Sequence, residues 1–206
     1  MDLARPYGAL SPTLEGDVLV VLARTTRGLT GREVARLARR GSQRGVLSAL
    51  ERLVEQGLVE RAETGAGFQY TLNREHLAAP AVEALVGIRS AFWERLRGEV
   101  ADWDPPATHV SVFGSAARGE GDAASDIDIL VVRPEGLSSE DSRWRAQVAE
   151  IAERVRLWTG NHAGIAEIGE SDLPGLARER PALADNLRAD AVTITGPNVS
   201  ELLEGS

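Results

Sequence analysis

The chain has 206 residues with 23 basic and 31 acidic side chains, a formal net charge of −8, and no cysteine. Disulfide frameworks and thiolate metal sites are therefore excluded; every basic residue is arginine, which also excludes a lysine nucleophile or Schiff base. The charge is uneven: residues 1–76 carry 11 Arg against 9 acids and residues 77–206 carry 12 against 22, which disfavours a broad nucleic-acid surface in the second part and leaves one open in the first.

The N-terminal Met-Asp-Leu-Ala-Arg-Pro lacks the apolar segment of a signal peptide, and no stretch approaches the roughly 18–20 apolar residues of a membrane span. A cytoplasmic protein with no membrane partner is expected, and a lysine-free, Ala/Gly/Arg-rich composition suggests a GC-rich bacterial genome. Residues 1–10 show no periodicity and are expected to fray. Ser11-Pro12 reads as N-cap and first helical residue, followed by Leu14, Val18, Val21 and Leu22 at helical spacing. Thr30-x-x-Glu33 is a capping box opening a second helix, with Val34, Leu37 and Ala38 inward and Gly41 as its stop. Ser42 caps a third helix carrying Val46, Leu47, Leu50, Leu53 and Val54 on one side, closed by Gly57. Leu58–Arg61, a turn at Thr64-Gly65-Ala66-Gly67 and Phe68–Leu72 read as a β-hairpin.

A helix, a helix–turn–helix and a hairpin in that order resemble the winged helix-turn-helix of bacterial regulators. The run Leu53-Val54-Glu55-Gln56-Gly57-Leu58-Val59 is typical of that family's recognition helix passing into its wing. The resemblance implies insertion of the third helix in a DNA major groove, with Arg40, Ser42, Gln43, Arg44 and Ser48 as candidate contacts. Winged helices also serve as protein–protein or dimer modules, and the wing tip here carries no positive charge. DNA, a protein partner and a second copy of the chain (a homodimer) all stay open.

Val82, Leu85, Val86, Phe92 and Leu96 mark one long helix from about Glu75 to Trp103, with Trp93 and Trp103 as packing residues. The expected domains are thus 1–76, a connecting helix over 77–104, and 105–206. The last of these opens on an apolar run, His109-Val-Ser-Val-Phe113, that ends abruptly in Gly114-Ser115. A Gly- and Asp-rich connection follows, then Asp126-Ile127-Asp128-Ile129. Alternate strand residues share a face, so the two carboxylates point one way and the isoleucines the other. Such a pair repels, and a divalent cation with hard oxygen ligands removes the repulsion. A glycine lets backbone approach a polyphosphate closely, and Ser115 with the following amides opens a short helix toward it.

Further on, Ser138 or Ser139 is expected to cap a helix with Trp144, Val148, Ile151, Val155 and Trp158 inward. A strand is expected over 162–168, then a helix from Ser171-Asp172-Leu173-Pro174 in two pieces around Pro181, and a last strand over 191–195. This alternation indicates an α/β domain. His109 and His162 read as structural or surface residues.

Gly114-Ser115, ten residues, then Asp126-x-Asp128, with Arg118-Gly119 and Ser125 between, resembles the DNA polymerase β-type nucleotidyltransferase superfamily, and within it the minimal nucleotidyltransferases. The implied fold class is a mainly α winged helix with a β-hairpin, followed by an α/β (α+β) nucleotidyltransferase domain with a small mixed sheet. The resemblance implies nucleotide binding by Gly114, Ser115, Arg118 and Ser125, with Arg118 either on a phosphate or bracing the loop through Asp122 or Glu120. It implies two Mg²⁺ ions on Asp126 and Asp128, and ATP or another NTP as substrate. The acceptor is a protein hydroxyl, such as that of a toxin partner of an antitoxin, or a small molecule. Members also carry a third carboxylate on a following strand. Glu167 in Ala163-Gly164-Ile165-Ala166-Glu167-Ile168 is the candidate metal ligand or general base, although minimal members often place the acid three residues earlier, at Gly164 here. A DNA-binding regulator with a nucleotide-sensing domain is the alternative.

Overall fold

The computed structural model describes residues 1–65 and 67–204; Ala66, in the expected 64–67 turn, lies outside the described residues. The chain divides into two compact units, one of Pro6–Arg89 and one of Met1–Arg5 with Ser90–Ser206.

The Pro6–Arg89 unit begins with a 3₁₀ turn at Pro6–Ala9, then α1 (Leu14–Ala23), β1 (Leu29–Thr30), α2 (Gly31–Ala38), α3 (Gln43–Glu55), β2 (Val59–Thr64) and β3 (Gly67–Leu72). Its sheet has the order β1-β3-β2, all antiparallel, with Val59 opposite Leu72 and Thr64 opposite Gly67. Val18, Leu22, Leu29, Val34, Val46, Leu50 and Tyr70 form its core. Thr30 and Glu33 make the expected reciprocal capping box, the Thr30 amide donating to Glu33 Oε2 at 2.8 Å and the Glu33 amide to Thr30 Oγ1 at 3.3 Å. The bonds from Thr30 and Arg27 hold the Glu33 carboxyl down to about 2.

Three local expectations are corrected. The N-cap position of α1 is held by Thr13 rather than Ser11, with no capping hydrogen bond from the Thr13 side chain; the Ser11 amide donates to the Tyr7 carbonyl at 2.8 Å in the turn before it. Leu37 is 47% exposed, since the buried stripe of α2 runs through Gly31 and Val34 with Ala35 beside it. That helix ends on Arg39 in a left-handed conformation, two residues before Gly41.

The long helix α4 (Ala79–Ala101) starts in the Pro6–Arg89 unit and continues into the other. The second unit then adds β4 (His109–Phe113), α5 (Gly114–Arg118), β5 (Ile127–Arg133), α6 (Ser142–Thr159) and β6 (Ala163–Gly169). It closes with α7 (Leu173–Glu179), α8 (Pro181–Asp190), β7 (Val192–Thr195) and α9 (Val199–Glu204), the last unanticipated. The sheet is mixed, with order β6-β5-β4-β7: β5 is antiparallel to β4 and parallel to β6. One face, bearing Val110, Val112, Ile127, Ile129 and Val131, packs with Phe92, Leu96, Val100, Trp144, Ile151 and Val155 of α4 and α6. The other, bearing Phe113, Leu130, Val132 and Ile168, packs with Leu173, Leu176, Ala184 and Leu187 of α7 and α8.

Residues 1–5 do not fray. Leu3 is 2% exposed in the core on the α4/α6 side, and its amide donates to the Gly121 carbonyl at 3.1 Å. One buried leucine has no period, so pattern reading could not see it. Helix α6 is capped by Asp141, which accepts from the Arg143 and Trp144 amides; Ser138 instead accepts from Glu140 in the preceding turn.

Candidate nucleotide and metal site

The site lies where β4 ends and β5 and β6 begin. Phe113 is opposite Asp128, and Asp128 is beside Gly164. Ile127 and Ile129 are fully buried on the α4/α6 face, which directs Asp128 to the opposite face; Asp126, just before β5, shares that direction by alternation. Among the described residues, neither carboxylate forms an ion pair or a side-chain hydrogen bond. Burial, then the charges of Asp126 and Asp190, push the Asp128 carboxyl above its ordinary value.

Gly114 takes φ +70°, and a Cβ there would stand 2.8 Å from Asp128 Oδ2. Both the backbone and the space require glycine. Across the sheet a Cβ on Gly164 would stand 3.0 Å from Asp128 Oδ1, a tight contact that the Asp128 carboxylate would have to yield to by a few tenths of an ångström. Ser115 is half-buried at the start of α5, its hydroxyl facing Gly121, where a Cβ would stand 3.2 Å from it.

The loop into Asp126 is held by side chains. Ser125 Oγ donates to Asp122 Oδ1 at 2.8 Å and accepts from the Asp122 amide at 3.0 Å; the Ser125 hydroxyl and then the Ala124 amide, which donates to Asp122 Oδ1 at 2.9 Å, draw the Asp122 carboxyl below its usual range. Ser125 therefore shapes the loop. Buried Asn161, which the sequence reading did not single out, donates to the carbonyls of Asp122 at 3.0 Å and Ser125 at 2.8 Å. The His162 carbonyl accepts from the Ile127 amide at 2.8 Å, and the His162 side chain is exposed.

Arg118 is engaged rather than free. Its Nε donates to Glu120 Oε2 at 2.7 Å, and its Nη1 donates to Asp190 Oδ2. Asp190, the last residue of α8, also accepts from the Gly114 amide at 3.0 Å, and its side chain is 8% exposed. The sequence reading missed it. The one available signal was a carboxylate at a helix C-terminus, where the macrodipole disfavours negative charge.

The structure does not bring Glu167 to the aspartates. It sits opposite Val131, three residues along β6 from Gly164, on the α4/α6 face and about 10 Å further along the strand. Its Oε1 accepts from Trp144 Nε1 at 2.9 Å and Arg133 Nη1 at 3.3 Å. Among the described residues, no group of three or more His, Asp or Glu is placed to hold a metal ion. Two unpaired oxygen-donor carboxylates on one face, one of them with its ionisation opposed, still fit a divalent cation held by Asp126 and Asp128, with no protein carboxylate from β6.

In the Pro6–Arg89 unit, Arg40 donates to the Pro12 carbonyl and lies 3.5 Å from Asp17. Ser42 accepts the Gly45 amide, and Ser48 accepts from Arg52 Nη1 at 2.9 Å. Gln43 and Arg44 are exposed in the first turn of α3 and form no side-chain hydrogen bond to a described residue. On the hairpin, the Arg61 guanidinium stacks over Phe68, 4.6 Å from the ring centre.

No curated protein and no solved structure matches the chain. Residues 93–161 match the family model of the nucleotidyltransferase domain. The match covers about a third of the chain, includes Gly114, Ser115, Asp126 and Asp128, and stops before β6 and Asp190. Domains of this family generally use a nucleoside triphosphate and a divalent metal ion, and the match supports nucleotidyl transfer as the general class of activity.

Proposed function

We propose that the second unit transfers a nucleoside monophosphate, AMP from ATP in the first instance, to an acceptor hydroxyl. The observation that carries this reading is the Asp126/Asp128 pair, unpaired among the described residues, with Asp128 against Gly114 within the matched segment. Asp126 and Asp128 would hold Mg²⁺, which would supply charge neutralisation for the phosphates and acidification of the acceptor hydroxyl. Gly114 admits phosphate oxygens close to the backbone, Ser115 supplies a hydroxyl donor, and Asn161 and Ser125 keep Asp126 in register with β5. The acceptor oxygen replaces pyrophosphate at the α-phosphorus, and positioning with charge neutralisation supplies the rate. The acceptor is a protein hydroxyl, as of a toxin partner, or a small molecule.

The first unit is proposed to be a winged helix-turn-helix that engages DNA or a protein through α3 and the β2–β3 hairpin. The exposed, uncommitted Gln43 and Arg44 support contact from the start of α3. A second reading, a DNA-binding regulator whose nucleotide site only senses, is favoured by the separation of Glu167 from the aspartates. The test uses ATP labelled at the α- or the γ-phosphate, with Mg²⁺ and a lysate of the source cell. Transfer of α-label alone, abolished by Asp126→Asn with Asp128→Asn, is expected. Absence of transfer, with ATP changing the protein's affinity for its own promoter DNA, would establish the sensor instead.

A further inference from the structure

Two donors in the site, the Gly114 amide and the Arg118 guanidinium, are of the kind that recognises a phosphate: a backbone N–H at a tight glycine turn and an arginine fork. Both are occupied by one carboxylate, that of Asp190. It reaches them because α8 packs on α5 and β4 and ends at this end of the sheet. Its position is electrostatically opposed twice. It closes the C-terminus of α8, where the helix dipole is negative, and its charge acts against that of Asp128. Among the described residues, the carboxylate is thus held only by the two groups it borrows.

We infer that Asp190 is an internal stand-in for phosphate, a latch on the Gly114–Arg118 donors that the polyphosphate of an incoming nucleotide must displace. The inference rests on the nucleotide-binding reading above and adds a regulation of that site. With the latch closed, apparent affinity is reduced by the fraction of molecules in which the donors are free. Opening it returns the Gly114 amide and Arg118 to the ligand and leaves Asp190 to solvent.

The test measures equilibrium binding of Mg²⁺·ATP to the full chain and to Asp190→Asn, with Glu120→Gln as control. Glu120 also contacts Arg118, so E120Q removes the same charge without freeing the Gly114 amide. A gain of about tenfold is expected in D190N, corresponding to a latch closed about nine-tenths of the time, with little gain in E120Q. Equal gains in the two variants would reduce the effect to bulk charge and overturn the latch, as would unchanged or weaker binding by D190N. Because D190N keeps an oxygen that can accept from the Gly114 amide and only weakens that bond, a second measurement uses the unaltered protein. Nuclear magnetic resonance should show the Gly114 amide, the Arg118 Nε–H and the Asp190 carboxyl carbon all shifting together on saturation with Mg²⁺ and tripolyphosphate. Saturable binding that leaves Asp190 unmoved refutes the latch and spares the nucleotide reading. No binding of either ligand to any of the proteins refutes both.

Discussion

Replacing Asp128 by asparagine should make the metal-free protein more stable and abolish its response to Mg²⁺. Alternate residues of a strand lie about 7 Å apart, and two unit charges at that distance repel by about 2 kcal/mol at an effective dielectric near 20. Asp126 is exposed, so solvent screening reduces this to roughly 1 kcal/mol. Asp190 adds a further repulsion of the same sign. The pH dependence follows from the direction of the shift. The folded state holds the Asp128 proton more tightly than the unfolded chain does, whose value is 3.8, so stability falls as pH rises from there through the raised folded value. Above that window the destabilisation is fully present, and at neutral pH D128N should remove it, raising the melting temperature by about 2–4 °C. Added Mg²⁺ should raise the midpoint of the unaltered chain and leave that of D128N unmoved. Thermal unfolding in metal-depleted buffer, repeated with Mg²⁺, reads both effects. A less stable D128N together with an unaltered chain indifferent to Mg²⁺ would show that Asp128 is an ordinary structural carboxylate.

Gly114→Ala should cost about 1–2 kcal/mol, because a Cβ is strained at φ +70° and would push Asp128 aside; a denaturant midpoint equal to that of the unaltered chain would refute the steric argument. His109 is fully buried, Nδ1 is 2.8 Å from the Pro197 carbonyl oxygen, Nε2 has no partner among the described residues, and burial pushes its pKa below 6.5. The unfolded chain therefore takes up this proton first, and stability should fall as pH drops below 6.5 until the lowered folded value is passed. His109→Gln should flatten that part of the pH profile of chemical unfolding, and parallel profiles for the two proteins would refute the assignment.

The β4–α5–β5 segment was legible because its constraints are local and chemical. Gly114 must turn with positive φ, and Asp126 and Asp128 alternate with isoleucines that can only face a core. The Thr30/Glu33 box was legible for the same reason, both partners lying within one turn. What failed was competition between near-equivalent residues. Thr13 rather than Ser11, and Asp141 rather than Ser138 or Ser139, hold the N-cap positions, and of the two Asp141 alone accepts first-turn amides through its side chain. Leu3 and the two-residue β1 were missed because neither has a period to detect. Glu167 shows the limit of matching flanks. Its apolar neighbours suit a metal ligand, yet parallel register with β5 fixes its face, and that register is set between strands. Asp190 lies 76 residues from the amide it holds, beyond any spacing rule.

The absence of an acid at position 164 and the presence of one at 190 bear on the same question of charge. Gly164 contributes no side chain beside Asp128, so the third negative charge at this end of the sheet comes from α8 and is engaged with donors suited to phosphate. On the proposed reading, exchanging that carboxylate for a triphosphate increases the negative charge beside Asp128, because a triphosphate carries more charge than Asp190. The exchange is then opposed without a cation and favoured with one on Asp126 and Asp128. Cation and nucleotide affinities are linked through the latch, and by thermodynamic reciprocity each must raise the other by the same factor. On that reading Asp190 holds the phosphate donors against nucleotide that arrives without its metal, because only a cation on Asp126 and Asp128 offsets the charge the exchange brings in.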